Sequence, residues 1–152
     1  MSYLSTNTPV GPLTLFEEDG RIVAVEWGWP PESDEPPHPV LERARAQIDA
    51  YFEGRLKQFD LPLDPSGTPF QKKVWQALAG IPFGQTKSYG ELATELGTAP
   101  RALGGACGRN PLPILIPCHR VLASDKRLGG YSGMEGIETK RFLLKLEGAL
   151  AE

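Results

Sequence analysis

The pair with the greatest reactive potential in the chain is Cys118 and His119, a thiol followed at once by an imidazole. Only a thiol's anion is a strong nucleophile, and free cysteine ionises near ~8.5, so Cys118 needs a base and surroundings that favour thiolate. His119 is the base at hand. Neighbouring side chains on an extended strand point to opposite faces, so contact requires a sharp turn at Cys118 or a water between the two. The bland alternative is a packing cysteine, because free cysteines are among the most buried residues and Ile114, Leu115 and Ile116 lie just upstream. Against it, His119 and Arg120 would each need polar partners if buried. The stretch that must present the pair is Asn110-Pro111-Leu112-Pro113-Ile114-Leu115-Ile116-Pro117. Its prolines and aliphatics predict an extended, buried path that ends at a cleft with the thiol at its lip.

The elements around this stretch are legible from period and punctuation. Thr68 caps a helix with Pro69 in its first turn and an apolar stripe of Phe70, Val74, Ala77, Leu78 and Ile81, and Trp75 reads as core. Ser88-Tyr89-Gly90-Glu91 matches a capping box, which puts Tyr89 on the first turn of a short helix ending near Gly97. A second helix starts at Pro100 or Arg101 and runs to Arg109, where Asn110-Pro111 stops it. Two short helices around a glycine-containing turn suggest a helix-turn-helix. The second carries little bulk, with Ala102, Gly104, Gly105, Ala106 and Gly108, although each helical glycine costs about 1 kcal/mol relative to alanine. Something must approach that surface closely, and a packed helix or DNA would explain it equally well. Arg101 opposes the helix dipole, as does Glu147 at the end of a last helix spanning Ile137 to Glu147. In that helix Phe142, Leu143, Leu144 and Leu146 supply apolar contacts and Gly148 ends it. Gly129-Gly130-Tyr131-Ser132-Gly133 reads as a loop able to fold over a ligand.

The N-terminal part has a different period. Ser2 to Thr6, Leu13 to Glu18 and Arg21 to Trp27 read as strands, the last two joined by an Asp19-Gly20 hairpin, with Val23, Val25 and Trp27 on one face. After a Pro- and Glu-rich loop, Val40 to Glu53 is a helix with Leu41, Ala44, Ile48, Tyr51 and Phe52 on one face, and Gly54 ends it. Gln58 to Leu63 is a further strand or an extended connection. The expected fold is an α/β N-terminal domain, a small antiparallel sheet plus helix, over 1–67. A mainly α C-terminal domain with a helix-turn-helix follows over 68–152, with the boundary at Asp64-Pro65-Ser66-Gly67.

Bulk properties narrow the function classes. The 152 residues and 40% hydrophobic content suit one domain or two small ones. No apolar run approaches ~18 residues and no signal-peptide pattern is present, so a cytoplasmic protein away from membranes is expected. In a reducing compartment the two cysteines are not expected to pair, and two Cys and two His form no metal-ligand spacing. No metal and no cofactor are expected. The net charge of −3 conceals an asymmetry. Residues 1–67 carry five Lys/Arg against twelve Asp/Glu, whereas 68–152 carry eleven against seven, so a polyanion would suit the second part only.

Pro117-Cys118-His119-Arg120-Val121, preceded by Asn110-Pro111 and followed by Tyr131-Ser132-Gly133, resembles the O6-alkylguanine-DNA alkyltransferases, or methylated-DNA–protein-cysteine methyltransferases. The Pro-Cys-His-Arg core is specific, and the likeness runs from about Thr68 to Gly148; before that it is one of layout. The resemblance implies DNA repair by irreversible, stoichiometric transfer of an alkyl group from O6 of guanine to Cys118, with activity on O4-alkylthymine left open. It also implies that His119 acts through a water with Glu147 holding its other nitrogen. Tyr89 donates to the guanine N3, the Ser132 region donates to O6, and Asn110 braces the active-site turn. Carbonyls at Cys118 and Val121 recognise the exocyclic amine, while Pro113 and Tyr131 wall the pocket beside Gly133. Ala102, Gly104, Gly105 and Arg109 belong to a helix lying in the minor groove, and Arg101 enters the base stack where the damaged nucleotide is flipped out. The link between Tyr89 and Arg101 is a couple of residues shorter than the family pattern, which leaves the tilt of that helix open. The expected partner is double-stranded DNA containing O6-alkylguanine, and a monomer is expected. Rival readings are a non-catalytic lesion-binding relative, which would lack the reactive cysteine, a cysteine hydrolase, and a helix-turn-helix regulator.

Overall fold

The chain separates into two units, Met1–Ser66 and Gly67–Glu152, and the computed structural model describes residues 2–29, 36–123 and 136–150. In the first unit, Asp19 and Gly20 both take positive φ, 53° and 79°, as a tight two-residue hairpin requires. The hairpin joins β2 (Gly11–Glu18) to β3 (Arg21–Trp27), and β1 (Ser2–Thr8) pairs on the other side of β2 in an antiparallel sheet of order β1-β2-β3. The inward set on β3 differs from the predicted Val23, Val25 and Trp27: Ile22 and Val25 are buried. Phe16 pairs with Ala24 but Glu17 pairs with Ile22, so Val23 is the extra residue of a bulge and the alternation restarts across it.

One helix, α1 (Pro39–Phe52), buries Val40, Leu41, Ala44, Ile48 and Tyr51, while Phe52 is only half-buried. Its start is fixed by His38, whose Nδ1 accepts from the amide of Val40 at 3.0 Å. Residues 58–63 form no strand. Leu63 makes a single parallel bridge to Ile22, so the extended-connection alternative holds.

In the second unit, α2 (Pro69–Ala79) starts in a full capping box between Thr68 and Gln71. Val74, Trp75 and Leu78 face inward, whereas Phe70, predicted in the apolar stripe, lies exposed in the first turn. Trp75 also binds: its indole N–H donates to the carbonyl of Ala106 at 2.9 Å. A two-residue strand, β4 (Lys87–Ser88), leads into α3 (Tyr89–Leu96), whose capping box between Ser88 and Glu91 is present as predicted. Gly97, in the left-handed region at φ 68°, ends α3 and turns the chain into α4 (Pro100–Gly108), completing the helix-turn-helix. Beyond it β5 (Val121–Leu122) pairs in parallel with β4, and α5 (Ile137–Leu146) closes the unit. On α5 the buried set is Thr139, Lys140, Leu143 and Leu144, and Phe142 points outward, against expectation. The correction follows from spacing, because Lys140, Leu143, Leu144 and Glu147 repeat at i, i+3, i+4 and i+7, the period of one helix face. Among the described residues no helix is long and apolar enough to cross a membrane, and no cluster of His, Cys, Asp and Glu could hold a metal.

Trp75→Phe keeps an aromatic ring but removes part of the buried volume and the donor that reaches from α2 to α4. A loss of about 1 kcal/mol for the bond, with a packing loss on top, is expected from urea denaturation, and an unchanged midpoint would deny that bond any role in joining the helices.

Candidate active site

The segment 110–117 is buried, as its prolines and aliphatics predict, but it is not extended. Its backbone doubles back: the amide of Ile116 donates to Leu112 O at 2.8 Å, and Ile114 sits at φ +74°. That region is costly for a β-branched residue, on the order of 1–3 kcal/mol, so the turn must be held by its surroundings. Asn110 holds it. Its Nδ2 donates to Ile116 O at 2.8 Å and its Oδ1 accepts from the amide of Leu112 at 2.9 Å, so one side-chain amide satisfies both arms of the turn. Pro113 lies buried at the tip and bridges to Ile116.

The chain then enters a single 3-10 turn, Cys118–Arg120. Three residues per turn set successive side chains about 120° apart rather than on opposite faces, which meets the sharp-turn condition for Cys118 and His119. The imidazole has no solvent contact, and its Nε2 lies 2.7 Å from Oε2 of Glu147. Arg120 forks onto the same carboxylate, Nε to Oε1 at 2.8 Å and Nη2 to Oε2 at 2.9 Å, and its Nη1 donates to Ile81 O at 2.6 Å. The Phe83 ring centroid lies 5.9 Å from the guanidinium carbon. Gly84 follows at φ +84°, where a side chain would be strained, and an added Cβ would lie a tight 3.2 Å from Glu147 O, so glycine suits this approach to the carboxylate's backbone.

This arrangement fixes the histidine tautomer. A carboxylate only accepts, so neutral His119 carries its proton on Nε2 and leaves the lone pair on Nδ1. Nδ1 is buried and has no hydrogen-bond partner among the described residues. The open acceptor of the imidazole is therefore the nitrogen away from Glu147. Burial lowers the His119 imidazole below its ordinary value, with Glu147 opposing the shift, so the neutral, proton-accepting form is favoured.

Cys118 retains only 5% of its surface, so the thiol is set deeper than the predicted lip. Burial pushes it up, and the Asn110 side chain and the charge of Lys140 pull it back toward thiolate. Tyr89, on the first turn of α3, is pushed up to about 12, first by burial and then by the Cys107 and Cys118 thiols, and so remains a hydrogen-bond donor at neutral pH. Cys107 is itself pushed up to about 12 by burial, as befits an inert packing thiol. The carbonyl of Val121 already accepts from Lys140 Nζ at 2.7 Å and, with two lone pairs, has room for one further donor.

On α4 the inward residues are Leu103, Ala106 and Cys107, while Arg101, Ala102, Gly105 and Arg109 are exposed and Gly104 partly so. A Cβ built at Gly104, Gly105 or Gly108 would meet nothing within 4 Å, so no packed helix among the described residues explains the missing side chains. Tyr131, Ser132 and Gly133 lie outside the described residues. Sequence reasoning missed two participants, Arg120 as the clamp on Glu147 and Lys140 as a buried cation. The i, i+3, i+4, i+7 series from Lys140 to Glu147 was the available signal for the second.

Residues 69–149 match the family model described as 6-O-methylguanine DNA methyltransferase, DNA binding domain, and residues 1–65 match the ribonuclease-like domain of 6-O-methylguanine DNA methyltransferase. The methylated-DNA–protein-cysteine methyltransferase of Methanosarcina acetivorans is 42% identical, over 98% of this chain and 99% of its own. The constitutive enzyme of that name from Bacillus subtilis is 43% identical over 95% and 94%. Among solved structures, Mycobacterium tuberculosis OGT in complex with DNA superposes with a TM-score of 0.85 at 42% identity, covering 97% of this chain and 92% of that one.

Arg120→Met leaves a buried carboxylate short of its cation and is expected to cost about 3 kcal/mol or more, with Arg120→Lys recovering only part because an ammonium cannot make the fork. Equal stability of all three proteins in urea would show the pair to be idle. For His119, the folded imidazole ionises below its ordinary value. As pH falls below about 6.5 the unfolded chain takes up a proton that the folded one refuses, and stability is lost on the acid side. His119→Gln should flatten the fall in urea midpoint between about pH 7.5 and about pH 5.5, and an unchanged slope would contradict the assignment.

Proposed function

The chain belongs to the O6-alkylguanine-DNA alkyltransferases, also called methylated-DNA–protein-cysteine methyltransferases, and from that premise we propose how its own residues carry the reaction. The protein is a DNA-binding repair enzyme that moves a methyl group from DNA to a protein cysteine. The acceptor is Cys118, working from the C-terminal domain, residues 68–152, and the substrate is O6-alkylguanine in duplex DNA. The observation that carries this reading is the state of His119: one nitrogen tied to Glu147, the other buried and open.

The thiol of Cys118 passes its proton through a water to His119 Nδ1, and Glu147 steadies the imidazolium that results. The thiolate attacks the alkyl carbon, a C–S bond forms as the C–O6 bond breaks, and the bonding pair leaves with guanine. Tyr89, protonated in this setting, donates to N3, the Ser132 region donates to O6, and Tyr131 walls the pocket beside Gly133, so the developing charge is met by hydrogen-bond donors. Carbonyls of Cys118 and Val121 select the exocyclic amine, Pro113 walls the pocket and Asn110 keeps the turn. The product is a thioether, with no activated carbonyl for water to attack. Each molecule therefore acts once, unlike a cysteine hydrolase, whose thioester is cleaved.

Delivery of the base falls to α4. Its bare outer face, Ala102, Gly104 and Gly105, with Arg109 at the far end, admits the minor groove to close range, and Arg101 fills the stack vacated by the flipped nucleotide. The protein acts as a monomer in a reducing cytoplasm, which keeps the thiol available.

After incubation with duplex DNA containing O6-methylguanine, intact-mass analysis should show one added methyl group per chain, located at Cys118. Repaired guanine in excess of protein would eliminate the single-use mechanism. Arg101→Ala should slow repair of duplex DNA at least tenfold while barely changing reaction with free O6-benzylguanine. Equal losses on the two substrates would remove the flipping role.

A further inference from the structure

Lys140 has no solvent contact, yet it sits on the inward face of α5 beside Leu143 and Leu144. Its Nζ donates to Val121 O at 2.7 Å, on the strand that leaves the nucleophile turn, and lies 5.7 Å from the centroid of the Tyr89 ring. A buried ammonium is costly, and a methionine or leucine would fill the same space without that cost. Two thiols bear on its charge, Cys118 from the 3-10 turn and Cys107 from α4, and the ring of Tyr89 from α3 lies beside it. The imidazole of His119 also feels its charge, Arg120 is the other cation bearing on that histidine, and Glu147 is the carboxylate that pairs with both His119 and Arg120.

Resting on the alkyl-transfer reading above, we propose that Lys140 is a positioning residue of the reaction: its ammonium, pinned on the Val121 carbonyl at the face of the Tyr89 ring, supplies the charge that makes a thiolate tolerable at Cys118. Other geometric features agree. The hydrogen bond to Val121 O anchors the amino group three residues beyond the nucleophile, so it cannot swing away to water. Burial brings Lys140 down to about 8, with Cys118 and Cys107 opposing the shift, and the same charge is among the influences that draw Cys118 back toward its anion. Ammonium and thiolate therefore stabilise one another. Lys140 stays protonated through the transfer, and the proton leaving Cys118 still goes to His119.

The test compares wild type, Lys140→Gln and Lys140→Arg in a Cys107→Ser background, following iodoacetamide labelling of Cys118 by peptide mass from about pH 6 to about pH 10. Glutamine keeps a donor for Val121 O but no charge; arginine keeps the charge. The labelling profile of the glutamine variant should move up by about one pH unit, making labelling at neutral pH about tenfold slower, while the arginine variant stays near wild type. Alkyl transfer from O6-benzylguanine should fall in step. Should the glutamine variant not fold, Lys140→Met carries the same comparison. Coincident profiles in all variants, with only melting temperature changed, would reduce Lys140 to a structural strap and overturn the proposal. Iodoacetamide needs no alkylguanine, so this outcome is separate from failure of the alkyl-transfer reading, which is judged on mass gain by the wild type with lesion DNA.

Discussion

The site depends on one carboxylate that satisfies two neighbours at once. Glu147 accepts from His119 through Oε2 and from Arg120 through both oxygens, with His119 and Glu147 side chains fully removed from water. A buried negative charge of this kind persists only if its lone pairs are filled by well-placed donors. Because the donors are consecutive residues of one 3-10 turn, filling them fixes the orientation of the whole turn, and the thiol one residue earlier is placed as a consequence. The same bonds set the histidine tautomer. Architecture and proton chemistry here are one constraint, imposed by a residue at the end of α5.

The strain upstream makes sense in that light. To bring Cys118 into the turn, the chain must reverse between Asn110 and Pro117, and it does so with Ile114 in the left-handed region. Asn110 supplies the bonds that hold this reversal, and its amide also favours the thiolate. One residue thus couples the shape of the loop to the reactivity of its product. Gly84 has a parallel role, where a positive φ and a close approach to the backbone of Glu147 both disfavour a side chain.

What the sequence made legible, and what it hid, follows the distance over which each interaction acts. The Thr68 cap, the capping box at Ser88, the Asp19-Gly20 hairpin and the end of α3 near Gly97 are settled by residues within four of one another and are legible from spacing, whereas the Gln71 half of the Thr68 box was not read. The pleat of β3 was misread because a bulge depends on its partner strand. Glu147 could be singled out as a carboxylate badly placed for the helix dipole, but its partners lie 27 and 28 residues away. Arg120 reaches a further 39 residues to Ile81 O, and nothing local hints at it. Lys140 was overlooked for another reason: a lysine on an amphipathic helix is expected in water, and only the period it shares with Leu143, Leu144 and Glu147 says otherwise. The extended path assumed for 110–117 failed because prolines and aliphatics specify burial and local φ but not direction, which Asn110 decides.

Depth is the remaining point of physics. A thiol left at the surface would ionise readily but would meet every soluble electrophile. Setting Cys118 down to 5% exposure restricts what reaches it, and the same desolvation works against the thiolate. Fixed groups oppose it: the Asn110 side chain and the charge of Lys140 both draw Cys118 back toward its anion. Such groups do not reorganise when the electrophile arrives, which is why a preorganised low-dielectric site can outperform water for a developing charge. The outer face of α4 is the opposite case, since a side chain at Gly104, Gly105 or Gly108 would meet nothing within 4 Å.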